Sequence, residues 1–156
     1  MGRKVAIIIA LNYTKIGKQW ELYGCINDAL QVQNMLMDAY NFKEKDITFF
    51  RDDIDSNTYW PTYSNIYKAL FNAVSTLEED DELWFHCSSH GDRFTDYGIN
   101  ETDNADEHII LYDNNKKNLT YFLDDDFNKL LSKSVCKVHM FFDTCNSGTM
   151  GDLQYN

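Results

Sequence analysis

The run Val5-Ala-Ile-Ile-Ile-Ala-Leu11 constrains this chain most. It is rich in β-branched residues and apolar at every position, so a strand built from it offers no polar face to water. Such a strand is stable only in a sheet covered on both sides, and the cover has to come from helices. The run is far too short to span a bilayer and lacks a small-residue cleavage site, so it reads as a core strand.

The rest of the chain supplies the cover. Apolar residues recur at helical spacing from Asn27 to Tyr40 and again from Thr62 to Leu77, and a shorter helix is predicted over Asp125 to Leu131. Further strands are predicted over Asp46–Arg51, Asp81–Ser88 and Lys137–Phe142. Strands alternating with helices predict an α/β fold, a mostly parallel central sheet between helical layers. Gly91 to Leu123 reads as a polar, acidic stretch with one apolar piece at Ile109-Ile-Leu111.

A chain of 156 residues, 44% of them hydrophobic and 15% aromatic, suits one domain spanning 1–156 with a sizeable core. It has no repeat, no low-complexity tract and a single proline, Pro61, so no linker divides it. The fourth predicted strand lies near the end of the chain and would be flanked on one side only. Another polypeptide segment is therefore expected to complete the sheet.

A formal charge of −11 argues against nucleic acid and anionic membrane as partners, since both require a positive patch. It favours cations: Ca²⁺, or substrates that carry Lys and Arg. No Gly-x-Gly-x-x-Gly or phosphate loop is present. The four cysteines form no Cys-x-x-Cys pair, which disfavours structural zinc. Without a secretory signal, the Asn-x-Thr matches at Asn12, Asn100 and Asn118 read as chance, and free thiols point to a cytoplasmic, reducing compartment.

In open α/β sheets, chemistry sits at the carboxyl ends of strands. The third predicted strand runs into Cys87-Ser-Ser-His90-Gly91, and the fourth into Asp143-Thr-Cys145-Asn-Ser-Gly148. Singly, Cys145 is a structural thiol and His90 a loop histidine. Together, at two strand ends, they are a nucleophile and the base it needs to become thiolate near neutral pH. The N–H groups of Gly91 and Cys145 could serve as the oxyanion hole.

These two motifs resemble the Tyr-Ser-Gly-His-Gly and Asp-Ser-Cys-His-Ser-Gly segments of metacaspases, members of the caspase-like cysteine peptidases. Leu22-Tyr-Gly24-Cys25-Ile-Asn27-Asp28-Ala29 is similar to the family's Gly-Cys-x-Asn-Asp-Ala segment, and Phe122-Leu-Asp124-Asp125-Asp126-Phe127 to its Ile-x-Asp-Asp-Glu-Leu. Cys145 follows His90 by 55 residues, near the spacing of about 50 found in caspases. Two departures stand out: Ser89 replaces the motif glycine and Asn146 replaces its second histidine.

The resemblance implies a caspase-like three-layer α-β-α sandwich, the large catalytic subunit region, without the small-subunit part. It implies a cysteine endopeptidase with a Cys145–His90 dyad and no third member evident. It places Cys25, Asp28, Ser88 and Asp143 around the S1 pocket. Two carboxylates in a narrow pocket suit a guanidinium or ammonium, so cleavage is expected after Arg or Lys rather than after Asp. Taken alone, Asp28 would be a first-turn helix carboxylate. The resemblance further implies a regulatory Ca²⁺ site from Asp106, Asp124, Asp125 and Asp152, although Asp124 and Asp125 also suit a helix N-terminus. Autoprocessing is a family expectation with no identifiable site here. His86 and His139 read as sheet residues and His108 carries no role. The competing readings are a weak or inactive caspase-like binding module, prompted by Ser89 and Asn146, and a flavodoxin-like signalling domain, which would need no cysteine–histidine pair.

Overall fold

The computed structural model describes residues 2–95 and 105–146, with the backbone alone described at 92–95, 105–107 and 145–146. The order of elements is β1 (Lys4–Ala10), α1 (Cys25–Tyr40), β2 (Ile47–Arg51), α2 (Tyr63–Thr76), β3 (Glu82–Thr95), β4 (Ala105–Tyr112), β5 (Leu119–Leu123), α3 (Asp124–Leu131) and β6 (Lys137–Asn146). The six strands form one sheet in the order β2-β1-β3-β4-β5, with β6 also paired to β3. β1, β2, β3 and β6 are mutually parallel, while β4 runs antiparallel to both of its neighbours, β3 and β5.

β1 occupies the interior, as its two-faced apolar pattern requires. Ala6, Ile8 and Ala10 point to the side covered by α1, where they pack with Ile26, Ala29 and Leu36. Ile7 and Ile9 point to the other side, packing with Ile66, Leu70 and Val74 of α2 and Phe127 and Leu130 of α3. Helices thus cover both faces, one against two. Each buried aliphatic side chain contributes about 1.5–3 kcal/mol, so these layers hold the sheet together. Local signals set the helix ends: Thr62 Oγ1 accepts from the Asn65 N–H at 3.2 Å to cap α2, and Asn41 closes α1 in the left-handed region at φ 61°.

Two expectations are corrected. The polar stretch after Gly91 contains a β-hairpin. β4 and β5 pair from His108↔Leu123 to Tyr112↔Leu119, and Asp113 Oδ1 ties the turn by accepting from the N–H groups of Lys117 (3.1 Å) and Asn118 (3.3 Å). The sheet is mixed as a result. In addition, β3 and β6 do not end before their motifs but run through them, to Thr95 and Asn146.

That extension positions the site. From Glu82 to Ser88, β3 lies between β1 and β6. Gly91 pairs with Asn146 of β6 and also with Ile109 of β4, so β4 takes over the edge that β1 leaves. β6 has no strand on its other edge among the described residues.

Candidate active site

The β3–β6 register sets Ser88 against Asp143, Ser89 against Thr144 and His90 against Cys145. Paired positions of neighbouring strands share a face of the sheet, so the two motifs meet residue for residue. Ser89 sits in this extended ladder outside the left-handed region, and its hydroxyl donates to the His90 carbonyl at 2.9 Å. The strand therefore accommodates serine where the family motif has glycine. Gly91 is a different case. A Cβ there would lie 2.8 Å from Thr144 Cβ and 3.0 Å from Thr144 Oγ1, so β3 and β6 approach this closely only because residue 91 has no side chain.

His90 is held on several sides. Its Nε2 lies 2.7 Å from the Trp20 carbonyl oxygen. A carbonyl can only accept, so Nε2 carries the proton and the lone pair of the neutral ring is on Nδ1. Nδ1 is buried and has no hydrogen-bond partner among the described residues. Burial lowers the imidazole below its ordinary range, opposed by the bond to Trp20, so neutral pH favours the form able to accept a proton. The Trp20 carbonyl is the orienting group that sequence reading did not find. A backbone oxygen has no residue-type signature.

Tyr13, also missed, lies on the other side. Its ring centroid is 4.6 Å from that of His90, and its hydroxyl accepts from the His90 N–H at 2.9 Å while donating to the Ile110 carbonyl at 2.7 Å. Tyr13 is fully buried at φ 59°. A left-handed residue other than glycine costs about 1–2 kcal/mol. Asp52 offsets that cost: its Oδ2 accepts from the Tyr13 N–H at 2.7 Å and its Oδ1 from the Asn12 N–H at 2.9 Å. Bonds to a charged acceptor contribute about 1.5–3 kcal/mol each, enough to hold the turn.

The residues expected around S1 converge in part. Ser88 is fully buried and pairs with Asp143, which is exposed. Cys25 opens α1, its N–H donating to Asn12 Oδ1 at 3.2 Å, and exposed Asp28 lies one turn further on. His86 links the two sides. It is buried, with Nε2 2.8 Å from Ser88 Oγ. Burial lowers its pKa, while the charges of Asp143 and then Asp28 act in the opposite direction. A residue read only as part of the sheet thus feels the charge of both carboxylates. His139 stacks near Trp84, with centroids 5.5 Å apart, and His108 meets the edge of Tyr121 at 4.6 Å.

The other thiols differ from a nucleophile's. Cys87 is fully buried beside β1, and burial pushes it up to about 12 against the opposing bond to Ser89. Such a thiol stays protonated and inert.

For the metal, Asp124 and Asp125 occupy the first turn of α3, half-buried and exposed respectively, while Asp126 Oδ2 accepts from the Leu123 N–H at 3.3 Å. The N-cap is Leu123, so neither predicted ligand caps the helix. Among the described residues no group of three or more His, Cys, Asp or Glu side chains comes together to hold a metal ion. The Asp106 side chain and Asp152 lie outside the described residues, as does the Cys145 side chain.

A sheet covered on both faces, with a histidine strand and a cysteine strand side by side, is a caspase-like α/β domain. The comparisons with known proteins agree and go further. The description "Metacaspase, peptidase C14 domain" matches residues 4–154, and the chain belongs to that family. It is 35% identical to Metacaspase-1 of Cryptococcus neoformans var. neoformans over 99% of this chain and 34% of the relative. It is 32% identical to Metacaspase-1 of Pyricularia oryzae, over 99% of this chain and 39% of that protein. For Metacaspase-1 of Schizosaccharomyces pombe the identity is 31%, over 99% and 36%. The chain spans about a third of the length of these curated relatives. A crystal structure of a Geobacter sulfurreducens protein shares the fold, with a TM-score of 0.69 at 24% identity over 98% of this chain and 54% of that one. No helix among the described residues is long and apolar enough to cross a membrane.

Proposed function

We propose that this domain is the catalytic part of a cysteine endopeptidase that cleaves after Arg or Lys. The observation that carries this reading is the pairing of His90 with Cys145 across adjacent parallel strands in a member of the metacaspase family.

In the mechanism, Nδ1 of His90 takes the proton of the Cys145 thiol while Nε2–H stays on the Trp20 carbonyl. The thiolate attacks the scissile carbonyl carbon. The N–H groups of Gly91 and Cys145 receive the oxyanion, which requires the β3 ladder to yield at its far end as substrate enters. The imidazolium then protonates the leaving amine, and the neutral ring draws a proton from the water that releases the acyl group. Trp20 keeps the imidazole from rotating between these two transfers.

Specificity follows from charge. The charges of Asp143 and Asp28 both act on His86, and with Ser88 and Cys25 these residues would line a pocket with two carboxylates and no neutralising Lys or Arg in the set. A P1 guanidinium or ammonium supplies the missing cation. Replacing Cys145 by Ala is expected to abolish cleavage of Arg-containing peptides, and a library varied at P1 should show Arg and Lys preferred. Turnover by Cys145→Ala, or a preference for P1 Asp, would overturn the reading.

Two accessory roles complete the proposal. The Asp124 and Asp125 carboxylates are hard oxygen donors suited to Ca²⁺, which Asp106 and Asp152 would help to hold. Bound Ca²⁺ would order the loops beside the site and take no part in the chemistry. Calorimetric titration is expected to show Ca²⁺ binding that weakens on replacing Asp124 and Asp125 by Asn; no heat with the unaltered protein would remove the metal from the account. The open edge of β6, with Phe141 47% and Phe142 43% exposed, suits a small-subunit segment that adds further strands.

A further inference from the structure

The turn after β1 does something the dyad alone does not explain. Tyr13 touches His90 twice, through ring and hydroxyl, and its own backbone is bent into a conformation that residues with side chains avoid. A tyrosine kept for bulk would need neither. A buried carboxylate, Asp52 on the chain just past β2, holds that bend through two backbone N–H groups, and Tyr112 on β4 donates to the same Oδ2 at 2.9 Å. β1, β2, β3 and β4 thus meet in one connected set of hydrogen bonds with His90 at its end.

We propose that Tyr13 is a positioning residue for His90, and that Asp52 acts through it. The inference rests on His90 being the base of Cys145. The imidazole is placed by the backbone that carries it and by two side-chain torsions, and its restraints act on both. The Tyr13 hydroxyl fixes the backbone of His90 by taking its N–H, with the Ile110 carbonyl consuming the hydroxyl proton so that only its lone pairs face His90. The tyrosine ring, tilted 35° from the imidazole, blocks one ring face, while the Trp20 indole meets it edge-on at 6.1 Å. The Trp20 carbonyl holds Nε2. Nδ1 is the ring nitrogen left for proton transfer. Loss of the hydroxyl would free the His90 backbone without creating a hole in the core. The result would be the same base in the wrong place.

The test is alkylation of Cys145 by iodoacetamide in the full-length protein, read by mass spectrometry on its peptide across pH, beside steady-state kinetics with an Arg peptide. Tyr13→Phe is expected to slow both alkylation and kcat by about 10- to 100-fold with KM little changed, the loss typical of a misplaced catalytic group. Tyr63→Phe is the control. It removes the hydroxyl of a half-buried tyrosine packed on Phe122, outside this set of bonds, and it should retain near-normal rates at a similar melting temperature. Asp52→Asn, which keeps one side-chain oxygen, is expected to fall between them. Slowing in His90→Ala but not in Tyr13→Phe would overturn the positioning role alone. Equal slowing in Tyr13→Phe and Tyr63→Phe would overturn it too, by making the effect one of general stability. Unchanged alkylation in His90→Ala would overturn the dyad and this inference with it.

Discussion

His86 and His90 lie on the same face of β3, four positions apart, and burial lowers the pKa of both below the ordinary histidine value. The unfolded chain therefore binds protons first as pH falls. Stability from these groups is complete above the ordinary value of about 6.5 and is lost as pH drops through it toward their lower folded values. The urea midpoint is expected to fall between pH 7.5 and 5.5, a window above the carboxylate range, and His86→Gln should flatten the fall. A midpoint that is level across this window would show that the two rings are not held neutral. Cys87 marks the contrast at this scale. It lies three residues before His90 on the same strand, and an odd separation turns the two side chains to opposite sides of the sheet, so one becomes an inert core thiol and the other a base.

The contact between β3 and β6 is the element on which the site depends, and Gly91 is its tightest point. A methyl group at 91 would collide with Thr144, and the strands would have to part. Gly91→Ala is expected to cost about 1–3 kcal/mol of stability, as overpacking does, and to lower peptide cleavage together with it. Thr144→Gly in the same chain should recover part of the stability, because it removes the colliding Cβ. Additive losses in the double variant, measured by chemical denaturation, would count against the steric account. The elements themselves were unevenly legible. β1, α1, β2 and α2 follow their apolar periodicity closely. β4 and β5 did not show, because the apolar piece from Ile109 to Tyr112 is short and sits in a polar, acidic stretch, and its pairing with Leu119–Leu123 is a tertiary contact. The extension of β3 through Ser88, Ser89, His90 and Gly91 defied local propensity. It exists because β6 on one edge and β4 on the other supply ladder partners.

Over the whole molecule, the net charge of −11 has the same sign as the two carboxylates of the proposed S1 pocket. Field and pocket then act in the same sense on a cationic substrate, and salt screens the long-range part. Raising ionic strength from about 0.02 to 0.5 M, which shortens the screening length severalfold, should lower kcat/KM for a P1 Arg peptide more than Ki for a neutral inhibitor competing at the same site. An equal response of the two would detach charge from recognition. At this scale the sequence by itself determined the layered α/β architecture, the His90 and Cys145 motifs and the family. Apolar periodicity and residue type are local properties, and they can be read along a chain. The tertiary structure decided that His90 and Cys145 share one register position, that His86 bonds to Ser88 opposite Asp143, and that Trp20 and Tyr13 hold the imidazole. Those relations depend on strand pairing and on a backbone carbonyl and N–H. Such groups are the same in every residue, and only folding gives them a place.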